Sequence, residues 1–91
     1  MTAREYLDET FPDSEILLAD GFDDALIGWA YSPGRGHTAV YDAERCIGIL
    51  QAQGMSEDEA WEYFEFNTEG SWVGDGTPVF LRRIDVSPED H

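Results

Sequence analysis

The chain has 91 residues, 42% hydrophobic and 13% aromatic, which suits one small folded domain with a single modest core and argues against disorder. Twenty Asp and Glu stand against five arginines and no lysine, for a formal net charge of −15. Such a polyanion is repelled by DNA, RNA and anionic membranes, so direct binding to these is disfavoured and a basic partner protein is favoured.

Thr2 and Glu5 make the T-x-x-E pattern of a capping box, predicting a helix over 3–10 with Tyr6, Leu7 and Phe11 on its buried side. Pro12, Asp13 and Ser14 break it. Residues 16–19, ILLA, fit a short strand or another helical turn, and the strand is preferred. Residues 20–24, DGFDD, read as a turn. Residues 25–31, ALIGWAY, are apolar on both faces and predict a central strand. A flexible loop over 32–37 joins it to a partner strand over 38–41, making an antiparallel hairpin. Asp42 then caps a helix over 43–53, with Ala43, Cys46, Ile47 and Leu50 as its core stripe and Gly54 as its end.

Ser56 and Glu59 form a second capping box, and Met55 is placed to staple onto Ala60. Glu57, Asp58 and Glu59 put negative charge at the positive end of the helix dipole. The predicted helix covers 57–67, with Ala60, Trp61 and Phe64 on the core face, Tyr63 and Phe66 on its flanks, and Asn67 and Gly70 at its end. A glycine-rich connection over 67–76 carries Trp72. Residues 77–84, TPVFLRRI, predict a last strand, which Pro78 places at an edge or a strand entry. The class is therefore α+β: one domain over 1–84, with a small antiparallel sheet of three strands, or four with 16–19, and two to three helices on one face. Residues 85–91 are expected to fray.

Few residues offer catalytic chemistry. Cys46, on the apolar stripe of a helix, reads as a small core residue, and with His37 and His91 it falls short of a zinc set. Asp20, Asp23, Asp24 and Asp42 could gather a hard cation, but their spacing matches no calcium loop, and turn aspartates usually serve the backbone. No G-x-S-x-G surrounds any serine, and His37 is the one internal histidine. Gly34, Arg35 and Gly36 could cradle an anion, but a hairpin tip is the better reading. Trp29, Trp61 and Phe64 read as core, while Trp72 suits either a cap on the core or an anchor for a partner. Neither a metal nor a cofactor is expected, and the chain is read as non-enzymatic.

Asp58, Glu62, Glu65 and Glu69 follow at four, three and four residues, a carboxylate stripe opposite the core face with no lysine or arginine between them. Neighbours in it are about 5–6 Å apart along the axis. Like charges at that spacing cost a few tenths of a kcal/mol each. The stripe is either a solvated helix face or a surface that imitates a row of phosphates. Arg82 and Arg83 alternate faces of the last strand, and one is expected to pair with the acid-rich helices.

Residues 40–80 carry VYD, then Cys46-Ile47 in a helix, then MS..EA.EYFEFN, Gly70, WVG and TPVF. This run resembles a set of small proteins of bacteriophage and prokaryotic genomes. The resemblance implies a setting in which small acidic proteins act by occupying host machinery, and it transfers no catalytic residues. The leading expectation is a DNA-mimic type of inhibitor that occupies a basic, nucleic-acid-binding surface of a host protein such as a defence nuclease. Its contacts would be Asp58, Glu62, Glu65 and Glu69, with Trp72 as anchor. The alternative is a housekeeping α+β module of a salt-rich cytoplasm, dimerising through the edge strand near Val79. A cysteine count of one, the lack of a membrane-length apolar run and the lack of a basic-then-apolar leader predict the cytoplasm.

Overall fold

The computed structural model describes residues 1–12, 16–71 and 74–84. Part of the predicted breaker at 12–14, Trp72 and the tail at 85–91 lie outside them. Three α-helices and a three-stranded sheet make an α+β fold. The elements are α1 (Ala3–Thr10), β1 (Leu26–Ser32), β2 (Gly36–Asp42), α2 (Ala43–Ala52), α3 (Glu57–Phe64) and β3 (Val79–Leu81). A 3-10 turn, Asp23–Ala25, precedes β1, and a π-helical turn, Glu65–Glu69, extends α3.

The helix starts form as their capping residues dictate. The Glu5 N–H donates to the Thr2 hydroxyl and the Thr2 N–H to the Glu5 carboxylate, both at 3.1 Å. Ser56 and Glu59 repeat this reciprocal pair at 3.2 Å. Asp42 accepts from the Arg45 N–H at 3.2 Å and starts α2. Gly54, at φ +105°, makes the tight corner from α2 into α3 that a side chain would resist.

Two expectations for the sheet are corrected. Its order is β1-β2-β3, so β2 is central and the apolar run of β1 lies at an edge. The sheet is also mixed: β1 pairs antiparallel to β2, but β3 pairs parallel to it, with Val40 opposite Val79 and Asp42 opposite Leu81. A tight hairpin turn reverses the chain, whereas a connection through helices returns it to the same end of the sheet. Both α2 and α3 lie between β2 and β3, so the third strand runs with the second.

Residues 16–19 form neither a strand nor a helical turn. They run beside the core, where Ile16, Leu18 and Ala19 pack on it. The Ala19 N–H donates to the Tyr41 hydroxyl at 2.8 Å. A side chain thus takes the place of a strand neighbour for this backbone group.

Cross-strand partners Trp29 and Ala39, Tyr31 and His37, and Tyr41 and Phe80 define one face of the sheet. The helices cover this face. Phe11, at the end of α1, meets the Trp29 ring at 5.0 Å, and Phe64 of α3 meets Phe80 edge-on at 5.1 Å. The core joins Leu7, Phe22, Leu26, Tyr41, Ile47, Leu50 and Phe64 with small Ala39, Ala43, Cys46 and Ala60. All four predicted stripe residues of α2 are buried.

The aromatic assignments divide. Phe64 is fully buried, but Trp29 is 41% exposed because β1 is an edge strand. Tyr6, predicted on the buried side of α1, is 48% exposed, and Leu7 alone of that helix is buried. Trp61 lies at the rim of the core, half-buried, with its ring edge-on to Phe64 at 5.9 Å.

Phe64→Ala should cost about 3–5 kcal/mol by opening a cavity. Ser56→Ala should cost about 1 kcal/mol through loss of the cap. Urea unfolding of both variants beside the parent chain measures the two losses. A Phe64→Ala loss no larger than that of Ser56→Ala would place the core elsewhere.

Candidate functional site

Helix α3 begins with Glu57, Asp58 and Glu59 in its first turn, where the dipole favours them. Glu62 and the following Glu65 lie toward the opposite end, where the same dipole disfavours them, and no base stands in the last turn. Asp58, Glu62 and Glu65 are all exposed. Among the described residues no arginine forms an ion pair with any of the three.

Glu69 departs from the expected stripe. It is half-buried, and Arg82 grips it through two hydrogen bonds, one of them at 2.9 Å. Arg82 also lies 5.2 Å from the centre of the Trp61 ring, a cation–π distance. Side-chain bonding with Glu69 raises the Arg82 pKa. Glu69 therefore ties the π turn to the chain leaving β3, and the open carboxylate face reduces to Asp58, Glu62 and Glu65. Trp72, the proposed anchor, lies outside the described residues.

The structure adds an apolar border to that face. Met55, Glu59, Glu62, Tyr63, Phe66 and Asn67 line an open groove of about 420 Å³. Phe66 is 78% exposed and Tyr63 is 44% exposed. Phe66 was expected on the flank of the core face, and this is corrected: at about 100° per residue it stands about 200° from buried Phe64 around even a regular helix, beside Glu62. Two side chains support the π turn: Asn67 donates to the Tyr63 carbonyl at 3.1 Å, and Ser71 donates to the Asn67 carbonyl at 3.2 Å. Gly70 closes it, since a Cβ there would stand 2.6 Å from the Glu65 carbonyl oxygen. Ordinary helical spacing thus already sets Phe66 and Tyr63 beside the carboxylates, and Phe66 stays exposed in the π turn.

The other candidate groups are used for structure. Asp23 pairs with Arg4 at 3.1 Å, and the 1%-exposed Asp42 side chain pairs with Arg83 and lies 3.8 Å from Arg45. The four aspartates at 20, 23, 24 and 42 are thus not gathered as a cation site, and among the described residues no three His, Cys, Asp or Glu could hold a metal ion. Burial, reinforced by the Asp42 charge, pushes the Cys46 thiol up to about 12, far from a reactive thiolate. Arg35 bonds the Asp75 and Thr77 carbonyls, which makes it a tie from the hairpin tip to the approach to β3. Arg82 and Arg83 both pair with acids, one more than expected.

Asp42 also sets a pH response. Burial opposes its charge, but the Arg83 hydrogen bond, the Arg45 and Glu44 N–H groups and the Arg83 charge outweigh burial and hold its pKa below the ordinary value. A carboxyl lowered in the folded state stabilises the fold above its unfolded pKa, near 4, and loses that contribution as pH falls through the folded value. Asp42→Asn should therefore be less stable at neutral pH by about 1–3 kcal/mol and show a shallower loss below about pH 4. Thermal midpoints across pH 2–8, on the order of one point per half unit, compare the two chains. Parallel acid limbs would remove Asp42 as their source.

Among the described residues, no helix is long and apolar enough to cross a membrane. Comparison with protein-family models, with curated proteins and with solved structures finds no match for this chain.

Proposed function

We propose that this chain is a non-enzymatic binding protein whose α3 face occupies a basic surface of a partner protein. The observation that carries this reading is the set Asp58, Glu62 and Glu65: exposed, unpaired by arginine among the described residues, and bordered by exposed Phe66 and Tyr63. Carboxylates stepping about 5–6 Å along a helix offer lysines and arginines the sign of a phosphate row at comparable spacing. The aromatic border would add apolar contact where the charges are desolvated. A surface that normally holds nucleic acid is the best complement. The likeness of residues 40–80 to small phage proteins, read from the sequence alone and matched by none of the comparisons, would make that partner a host protein such as a defence nuclease.

A second reading also has support. Exposed carboxylates are spread over α1 (Glu5, Asp8, Glu9), the turn before β1 (Asp20, Asp23, Asp24) and α2 (Glu44), as well as α3. That distribution suits a housekeeping module adapted to a salt-rich cytoplasm. Such a chain gains stability with salt and captures no salt-sensitive partner.

The two readings part in one experiment. The chain is immobilised, partners are captured from host lysate, and the captured protein is tested against the Glu62→Gln/Glu65→Gln double variant. The variant should fold as stably as the parent or a few tenths of a kcal/mol more so, because like-charge repulsion is relieved. Partner binding should weaken by about 1 kcal/mol or more per charge, and added DNA should compete for the partner. Equal binding of parent and variant would remove α3 as the contact surface. Capture that survives high salt unchanged would remove the electrostatic account.

A further inference from the structure

We infer that the outer edge of β1 and the groove beneath α1 take a basic, extended peptide segment of a partner protein as an added strand. Seven residues, LIGWAYS, make β1, and none is charged or proline. That is notable in a chain where 27% of residues are charged. Edge strands are normally blunted by charge, proline or a bulge, because their unpaired N–H and C=O groups template further strands. Here the one such device is a register shift between Leu26 and Gly28. Among the described residues no strand pairs with the outer edge of β1.

An apolar groove of about 400 Å³ adjoins that edge, formed by Ala3, Tyr6 and Leu7 of α1 with Leu26, Ile27 and Trp29 of β1. Tyr6 is 48% exposed, Ile27 40% and Trp29 41%. A strand laid along β1 would turn every second side chain to the helix-covered face, toward this groove. Backbone pairing would supply affinity, and the groove would select large apolar residues at alternate positions.

Charge decides the occupant. Glu5, Asp8 and Glu9 are exposed on the rest of α1 and Asp24 is exposed in the turn before β1, so the elements that form the groove carry a negative surface, and Arg4 is held by Asp23 at 3.1 Å. A second copy would bring together two chains of formal charge −15. Self-repulsion thus keeps the edge from pairing with itself, while a segment with lysine or arginine between its apolar residues is attracted. This inference does not rest on the α3 reading, since it concerns other elements.

The test uses the full chain and a synthetic peptide of about nine residues alternating valine and lysine. One control has the same composition with the valines and lysines in separate blocks. A second alternates valine and glutamate, and a third carries N-methyl groups along one backbone edge. The alternating lysine peptide should shift the amide resonances of residues 26–32 and bind about tenfold or more tighter than each control. Ile27→Lys, at an exposed position, should weaken that binding about tenfold without lowering the thermal midpoint. Glu62→Gln/Glu65→Gln should leave it unchanged, which separates this edge from the α3 face. Equal binding of the blocked peptide, amide shifts on α3 instead of β1, or self-association through β1 would each overturn the inference. So would no binding of the alternating peptide up to about millimolar concentration.

Discussion

Asp42 joins three parts of the chain at one carboxylate. It ends the central strand β2, accepts from the Arg45 N–H to start α2, and takes the Arg83 guanidinium that follows β3. Its side chain is 1% exposed, so the charge survives only because donors surround it. Removing any donor would leave a buried anion short of a partner, which costs more than an ordinary surface contact. The Arg83 pair fastens the chain after β3 to the end of β2. Three residues of strand are a weak attachment, and the Arg83 pair adds to it.

The other arginines follow the same economy. Arg4 closes on Asp23, Arg35 on two loop carbonyls, Arg82 on Glu69, and Arg45 lies beside Asp42. Each base ties a loop or a chain end to a neighbouring element. The scarce positive charge is therefore committed to ties within the chain, and Asp58, Glu62 and Glu65 face solvent with no arginine paired to them among the described residues. Acidity here is a property of the surface, and the pairing of the bases makes it sharper.

Two apolar borders interrupt that acidic surface. Along α3 and its π-turn extension, Tyr63 and Phe66 share a groove with Glu59 and Glu62. Between α1 and β1, Tyr6, Ile27 and Trp29 lie close to an uncharged strand edge. Both set exposed apolar side chains within a strongly acidic surface. They differ in the backbone they present. The α3 backbone is satisfied within its helix, while the outer edge of β1 has pairing groups left over among the described residues.

What was legible in the sequence was local. The capping pairs Thr2–Glu5 and Ser56–Glu59, the Asp42 cap and the stripe Ala43, Cys46, Ile47 and Leu50 each depend on residues within one or two turns. Helix starts followed from these, and the β1-β2 hairpin and the α+β class from the apolar runs on either side of the 32–37 loop. The identity of Asp58, Glu62 and Glu65 as an exposed acidic face was legible for the same reason. Only the tertiary structure decided which strand is central. An apolar run on both faces reads alike in a buried strand and in an edge strand flanked by a groove, so Trp29 was misplaced. It also decided the direction of β3, set by two intervening helices, and the loss of Glu69 to Arg82, thirteen residues away. The π turn is a departure from the 3.6-residue period that no local pattern announced, but the exposure of Phe66 follows from ordinary helical spacing two residues past buried Phe64. Periodicity reports which side of an element is apolar; what that side meets is fixed by chain segments far away in sequence.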